Sequence, residues 1–220
     1  RQPHHGRRVH HRGDEHDRQV RRRARRDCDQ PNGNVIAGNN HNGINADGVQ
    51  RSVIGNNLIT NNARSGVRVY AIDGAAGPSA LRLVSNTIVG NANWAIKLTE
   101  DLGGHVVFDN ILSSTTGSLC VGATVASDHN VLLGALSRDE EASTLNLAAW
   151  RTATGQDAAS VSTATSLFVS GTDFHLSASS AARNTGVATF SQVSAPTVDL
   201  EGASRPKGTA FDLGAYEYAE

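Results

Sequence analysis

At 220 residues, the chain has the length of one well-buried domain and is short for two. Its aromatic content is only 5%, and its formal net charge of −1 gives no general electrostatic reason to expect nucleic acid as a partner. No stretch approaches the roughly 18 consecutive apolar residues of a membrane-spanning helix, so we expect no membrane span.

The N-terminal segment, residues 1–31, differs from the rest of the chain in composition. Residues 1–30 hold 10 of the 20 basic residues and 5 of the 9 histidines, whereas beyond them 10 basic residues face 16 acidic ones. This segment has no core-forming period, so we predict a disordered basic tail. Two other interpretations stay open: non-native sequence, as a shifted reading frame in GC-rich coding sequence yields, and, ranked below it, a basic arm for an anionic polymer.

Residues 32–136 contain a repeat. Five segments begin with Asn, any residue, and then Ile or Leu, at intervals of 23, 29, 24 and 20 residues: they start at Asn34, Asn57, Asn86, Asn110 and Asn130. An apolar strand resumes ten residues after each of the first three asparagines. A period of roughly 20 to 25 residues with short strands and no helix signal indicates a solenoid.

A parallel β-helix fits this repeat better than a leucine-rich horseshoe, which needs several leucines per unit. Asn at a repeating turn tolerates left-handed backbone angles and can hydrogen-bond to the same Asn one coil above and below. We therefore predict an all-β fold, a parallel β-helix of about five coils. The register places one aliphatic side chain of each coil inside: Ile36, Ile59, Ile88, Leu112 and Leu132.

Residues 137–155 interrupt the strands and predict one short helix. Ser137 and Glu140 form a plausible capping box, and Gly155 is a plausible end. Trp150 is interpreted as a packing residue beneath this helix. Residues 156–220 are then predicted to form a C-terminal β region that closes the β-helix.

The C-terminal half carries a specific resemblance in "LAAWRTATGQDAASVSTATSLFV", "TDFHLSASSAARNTG" and "DLEGASRPKGTAFDLGAYE". These segments resemble right-handed parallel β-helix proteins of the bacterial pectate-lyase-like superfamily, in particular those with a C-terminal region called choice-of-anchor Q. The match includes Trp150, Gly155, Gln156, Asp157, Phe168, Phe174, Leu176, Ser180, Gly186, Asp199, Gly202, Arg205, Pro206, Asp212, Gly214, Ala215, Tyr216 and Glu217.

The resemblance, with the Asn repeat, covers residues 32–218 and departs from the family pattern at two turns, where prolines are replaced in Thr165-Ser166 and in Ser180-Ala181-Ala182. It implies a right-handed coil and an exported protein with an extracellular or cell-surface location. It marks architecture rather than chemistry.

The superfamily that this chain resembles commonly binds acidic polysaccharide along a groove over one sheet, so outward residues of neighbouring coils are the candidate site. If the register holds, Arg68 and Lys97 project side by side, about 5 Å apart along the axis. We predict a catalytic role for this pair. Substrate contacts are predicted for Asn45, at the equivalent position one coil earlier, and for the residues two positions after Arg68 and Lys97, which are Tyr70 and Thr99.

Two adjacent cations raise each other's cost of ionisation, and Lys loses its proton more easily than Arg does. A neutral Lys97 could remove the proton alpha to a uronate carboxylate while Arg68 neutralises that carboxylate. The arrangement is similar to that in some uronan lyases. No cofactor is firmly predicted, but nearby carboxylates could bind calcium: Asp47, Asp73, Glu100 and Asp101. The alternative is a solvated surface with ion pairs of little energetic value.

Three functions therefore stay open. The leading hypothesis is an exported, monomeric β-helix protein whose partner is an acidic polysaccharide. The second is a lyase or epimerase acting on a uronan such as alginate or pectate. The third is a structural spacer within a larger surface protein.

Overall fold

The computed structural model describes residues 33–72, 76–163, 165 and 167–219. The tail predicted for residues 1–31 lies outside this part of the chain. Within it, no helix has the length and apolar character needed to cross a membrane.

The described residues from 33 to 137 form five coils of short strands. The first coil holds β1 (Val35–Ala37) and β2 (Ile44–Asp47). The second holds β3 (Val53–Gly55), β4 (Leu58–Thr60) and β5 (Val67–Tyr70), and the third β6 (Arg82–Val84), β7 (Thr87–Val89) and β8 (Trp94–Leu98). The fourth holds β9 (His105–Phe108) and the long β10 (Ile111–Cys120). The fifth holds β11 (Val125–Asp128) and β12 (Val131–Ser137).

Equivalent strands of successive coils pair in parallel. One sheet has the order β11-β9-β6-β3, and the larger one runs β1-β4-β7-β10-β8-β5-β2, because β10 passes from one face of the solenoid to the next. β12 pairs with β10 in the same way, with register shifts where β10 bends near Gly117. This is a right-handed parallel β-helix, and the predicted fold class is confirmed.

The predicted core register is also confirmed. Ile36 pairs with Ile59, Ile59 with Ile88, and Ile88 with Leu112, which in turn pairs with Leu132. All but the first of these side chains are at most 1% exposed. Burial of a single aliphatic column along the axis explains why the repeat keeps Ile or Leu two residues after each Asn.

The repeating asparagines form a hydrogen-bonded ladder. The side-chain oxygen of Asn57 accepts from both the backbone and the side-chain amide of Asn34, at 3.1 Å each. The same pattern joins Asn57 to Asn86, Asn86 to Asn110 and Asn110 to Asn130, at 2.9–3.1 Å. The ladder ends at Ser160, whose hydroxyl accepts from the backbone of Asn130.

The residue before each interior ladder Asn has a left-handed backbone, with φ between 52° and 59°: Asn56, Ser85, Asp109 and His129. This conformation turns the chain sharply between two strands at the same place in every coil. Asn and Asp tolerate it better than most residues because their short side chains hydrogen-bond locally.

The helix differs from its prediction. α1 spans Leu147–Thr154, ten residues after the expected start, and its N-cap is Asn146, whose side chain accepts from the amide of Ala149. Ser137 instead ends β12. Glu140 and Glu141 have φ of 55° and 81°, so the chain forms a turn there and cannot start a helix. The expected helix end at Gly155 agrees with the structure, where Gly155 has φ 70°.

α1 and residues 156–161 close the C-terminal end of the coils. Trp150 is fully buried in the main core, as expected, and Val161 pairs with Val131 as the start of a further coil. The remaining described residues up to 219 follow this further coil. They pack along the outside of the sheets, with Leu176 and Leu213 against Ile111, and they contain one hairpin of β13 (Thr189–Phe190) and β14 (Val193–Ser194).

Candidate functional site

The site lies on the outer face of β2, β5 and β8. Arg68 pairs in register with Asn45 on one side and with Lys97 on the other. Alternation explains their outward position, because Val67 and Val69 on either side of Arg68 are fully buried. The structure thus brings the predicted pair together on adjacent coils.

A second row of side chains stands beside this strand row. His41, Arg64 and Asn93 occupy the turn before each strand, and their backbones are joined coil to coil by hydrogen bonds of 3.0 and 3.2 Å. The two rows line a cleft of about 340 Å³. Its walls are formed by His41, Asn42, Asn45, Arg64, Ser65, Arg68, Tyr70, Ile72, Asn93 and Lys97.

The cleft concentrates positive charge on an acidic body. Among the described residues, its lining includes Arg64, Arg68 and Lys97 but no Asp or Glu. By contrast, residues 31–220 contain 10 basic and 16 acidic residues, a formal charge of 10 − 16 = −6. Clustering of cations in a concave surface raises the local concentration of anions.

A polar network fixes the aromatic ring of the cleft. Asn42 donates to Asn45, which donates to the hydroxyl of Tyr70 at 2.7 Å. The Arg68 guanidinium lies 5.3 Å from the centre of the Tyr70 ring and donates to the hydroxyl of Thr99. Thr99 was predicted to contact the substrate, but it is buried and is not among the described residues that line the cleft, so its role here is to hold Arg68.

Lys97 is less free than the catalytic hypothesis requires. Its ammonium donates to the carboxylate of Glu141, whose other oxygen accepts from the indole of Trp94. Burial raises the pKa of Glu141, but the hydrogen bonds from Lys97 and Trp94 outweigh it and hold that pKa below its usual value. A lysine that acts as a general base must point its amine at the proton of the substrate, whereas the amine of Lys97 is held by Glu141.

The calcium ligands predicted from the sequence have other hydrogen-bond partners. Asp47 accepts from the amide of Ile72 and Glu100 from that of Ala71. One carboxylate oxygen of Asp101 lies 3.2 Å from the Nε2 atom of His105. Burial raises the pKa of Asp101, but the contact with His105 and two backbone amides outweigh burial, so this pKa is lowered overall. Asp73 is outside the described residues. Across the described residues, no three His, Cys, Asp or Glu side chains are grouped as a metal site.

Sequence reasoning missed two parts of the site. The turn row could have been found, because His41, Arg64 and Asn93 each lie two residues after a second set of repeating asparagines. That set also forms a ladder, in which Asn39 and Asn62 each donate to the next Asn at 2.8 Å. Glu141 gave no such signal, since 44 residues separate it from Lys97.

A second cleft of about 360 Å³ lies on the C-terminal region. His175 contacts Asp173 at 2.6 Å and Glu201 at 3.3 Å, and its ring lies 4.3 Å from that of Tyr216. Partial burial lowers the pKa of His175, but the carboxylates of Asp173 and Glu201 together raise it by more. The net shift of this pKa is therefore upward. The described residues that line this cleft include four carboxylates, those of Asp173, Asp199, Glu201 and Glu217, but only Lys207 and His175 as basic groups. The second cleft is therefore a weaker candidate for an anionic ligand than the basic cleft.

Comparison with known proteins places the coils in a family. The model of the family described as periplasmic copper-binding protein (NosD) matches residues 23–132, which is half of the chain. The chain belongs to the NosD family. The match covers all but the last coil strand, and the family's periplasmic description agrees with the predicted export. No curated protein and no solved structure matched the chain.

The described residues do not fit a copper site of the kind that the NosD description suggests. Copper in proteins prefers imidazole nitrogen and thiolate or thioether sulfur. The chain has no Met. Cys120 is fully buried, and burial raises the pKa of its thiol to about 11, which opposes formation of the thiolate ligand. His41, His105, His129 and His175 belong to no group of three candidate ligands.

Proposed function

We propose that this NosD-family protein is an exported β-helix protein that binds an acidic polysaccharide in the basic cleft. The observation that carries the proposal is the charge of the lining: its described residues include Arg64, Arg68 and Lys97 but no carboxylate, on an otherwise acidic body. Lys97 is paired with Glu141 at the edge of the cleft, so Arg64 and Arg68 are the cations that face the ligand unpaired by a carboxylate of the described lining. Charge of one sign in a concave site selects an anionic ligand.

The shape of the cleft supports a polymer. Its two rows of side chains run along the solenoid axis, from His41 to Asn93 in the turns and from Asn45 to Lys97 on the strands. Successive coils are about 4.8 Å apart. An extended chain with a repeating anionic group meets a cation on one coil after another.

The lining also supports a sugar. Tyr70 offers an aromatic ring, while Asn45 and Asn93 offer amide groups that both donate and accept hydrogen bonds. Arg64 and Arg68 present planar, two-pronged donors that match a carboxylate, so uronate is the sugar unit we propose.

Calorimetric titration tests this proposal with polygalacturonate as the acidic ligand and dextran as the neutral one. Arg64→Gln and Arg68→Gln should each weaken polygalacturonate binding about five-fold, since an exposed charge contact contributes about 1 kcal/mol. Arg51→Gln is the matched control because Arg51 is exposed and lies outside the cleft lining. Affinity should fall as salt is raised.

Two results would overturn the proposal: equal binding of dextran and polygalacturonate, or equal affinity of the cleft variants and Arg51→Gln. Ultraviolet absorbance of the same mixtures tests the lyase hypothesis, since elimination gives unsaturated uronate products that absorb ultraviolet light. We expect none, because Lys97 is paired with Glu141.

We further propose that the C-terminal region is of the choice-of-anchor Q type and that the location is extracellular or at the cell surface. Several residues that carry this resemblance are buried and joined by hydrogen bonds, with Trp150 donating to Asp157 and Arg205 to Glu217. A monomer is proposed as the working state. Fractionation of the producing cells and size-exclusion chromatography test the two statements.

A further inference from the structure

Glu141 bridges two hydrogen-bond donors at the edge of the basic cleft. One carboxylate oxygen accepts from the indole N–H of Trp94 and the other from the ammonium of Lys97. Neither an indole N–H nor an ammonium can accept a hydrogen bond. The pair is therefore complementary to a group with two acceptor oxygens, and a carboxylate is such a group.

The two donors are held by the β-helix. Trp94 is fully buried, and its ring lies so close to Gly117 that a Cβ there would be 2.4 Å from Cζ3. The side chain of Lys97 is only 14% exposed. Both residues belong to β8, whose pairing with β5 and β10 fixes their positions.

The acceptor is held far less firmly. Glu141 lies in the turn after β12, where every residue from 138 to 144 is exposed. Its side chain is 38% exposed, and its backbone amide is held by one hydrogen bond of 2.9 Å to the Ser137 hydroxyl. Glu140 holds the turn on the coils through Val121 and Glu100. Rotation of the exposed Glu141 side chain would uncover the two donors without moving this turn or opening the core.

We propose that Trp94 and Lys97 form a carboxylate-binding site, which Glu141 occupies in the free protein and a uronate carboxylate of the ligand takes over. The inference rests on the proposed function, because Lys97 also lines the basic cleft. It makes Glu141 an internal competitor. A polysaccharide whose anionic groups are carboxylates is then the preferred class of ligand.

Binding of polygalacturonate tests the competition. Glu141→Gln should bind about five times more tightly than the parent protein, because the competing charge is gone. Glu140→Gln is the matched control: it removes the same charge from the neighbouring residue, which also has a left-handed backbone and accepts from the amide of Glu100 instead. Adding Lys97→Gln to Glu141→Gln should abolish the gain. Equal affinities of Glu141→Gln and Glu140→Gln would overturn the inference.

A second measurement needs no polysaccharide. Glu141→Ala vacates the site, so sodium acetate should raise its melting temperature about 2–4 °C above its value in sodium chloride of equal ionic strength. Glu140→Ala, and Glu141→Ala combined with Lys97→Gln, should not respond in this way. Equal responses of Glu141→Ala and Glu140→Ala contradict the carboxylate site. An acetate response without polygalacturonate binding in any variant supports the site and overturns the proposed function.

Discussion

Asp109 shows how one residue of a repeating turn acquires a property that its equivalents lack. It holds the left-handed position, with φ 56°, and is fully buried under the C-terminal region. Burial is the main cause that raises its pKa to about 7, against the lowering effects of the Val187 amide and of Arg205. Its carboxyl group therefore stays protonated below neutral pH in the folded protein.

This shift predicts a stability that falls as pH rises. Between about pH 4 and pH 7 the carboxyl group of Asp109 loses its proton in the unfolded chain and keeps it in the folded chain. Unfolding therefore becomes more favourable with each pH unit. Asp109→Asn should flatten this slope and raise the free energy of unfolding at pH 8 by about 2 kcal/mol. Asn suits the left-handed backbone and can still accept from the Val187 amide.

Urea unfolding at pH 5 and pH 8 measures this effect. Asp139→Asn is the control, because Asp139 is exposed and its pKa is lowered, chiefly by the hydrogen bond from the side chain of Ser143. If the free energy of unfolding of Asp109→Asn still falls with pH as steeply as that of the parent protein, Asp109 is not the titrating group.

At the scale of the elements, the Asn ladder joins strands that are too short to be stable alone. Asn86 makes four hydrogen bonds with its side chain: it donates to Ile54 and Asn110 at 2.8 and 2.9 Å and accepts two from Asn57 at 3.1 and 2.9 Å. Asn34, at the first coil, is exposed, and within the described part of the chain its side chain donates to a single neighbour. The ladder should therefore contribute most in its middle.

We predict that Asn86→Ala lowers the free energy of unfolding by about 3 kcal/mol, because it leaves buried donors and acceptors without partners. Asn34→Ala should cost less than about 1 kcal/mol. Urea unfolding of both variants measures the difference. Similar losses at the two positions would mean that the ladder is not graded by burial.

At the scale of the whole molecule, Arg205 joins the C-terminal region to the coils. It donates to Glu217 at 2.9 Å, to the carbonyls of Asp212 and Gly214 at 3.0 and 2.7 Å, and to Asn56 of the second coil at 3.3 Å. Burial is the main cause that lowers the pKa of Arg205, with the nearby carboxylates opposing it. One guanidinium thus connects residues 149 positions apart.

Arg205→Lys should detach this region, since a single ammonium cannot serve four acceptors in a planar fork. We expect a loss of about 3 kcal/mol in the free energy of unfolding, because Glu217 stays buried without its partner. Limited proteolysis should then cleave between residues 167 and 219 before the coils. Arg138→Lys, at an exposed arginine, is the control, and an unchanged cleavage pattern in Arg205→Lys would contradict the role.

The local and periodic features could be predicted from the sequence. The spacing of Asn34, Asn57 and Asn86 determined the coils, the ladder and the buried column, because a solenoid's contacts are made between equivalent residues of neighbouring repeats. The same register correctly placed Arg68 beside Lys97. The left-handed position of the turn was predicted one residue too late, at the ladder Asn, whereas the residue before it adopts that conformation.

Only the tertiary structure decided what lies across the coils. The exposed turn that brings Glu141 to Lys97, the late start of α1 and the path of residues 167–219 along the outside of the sheets have no period in the sequence. Each depends on contacts between segments far apart in the chain, whose energies are set by burial and pairing after folding. The sequence by itself therefore determined the solenoid and its repeating rows, and the fold decided which of those side chains is free to bind.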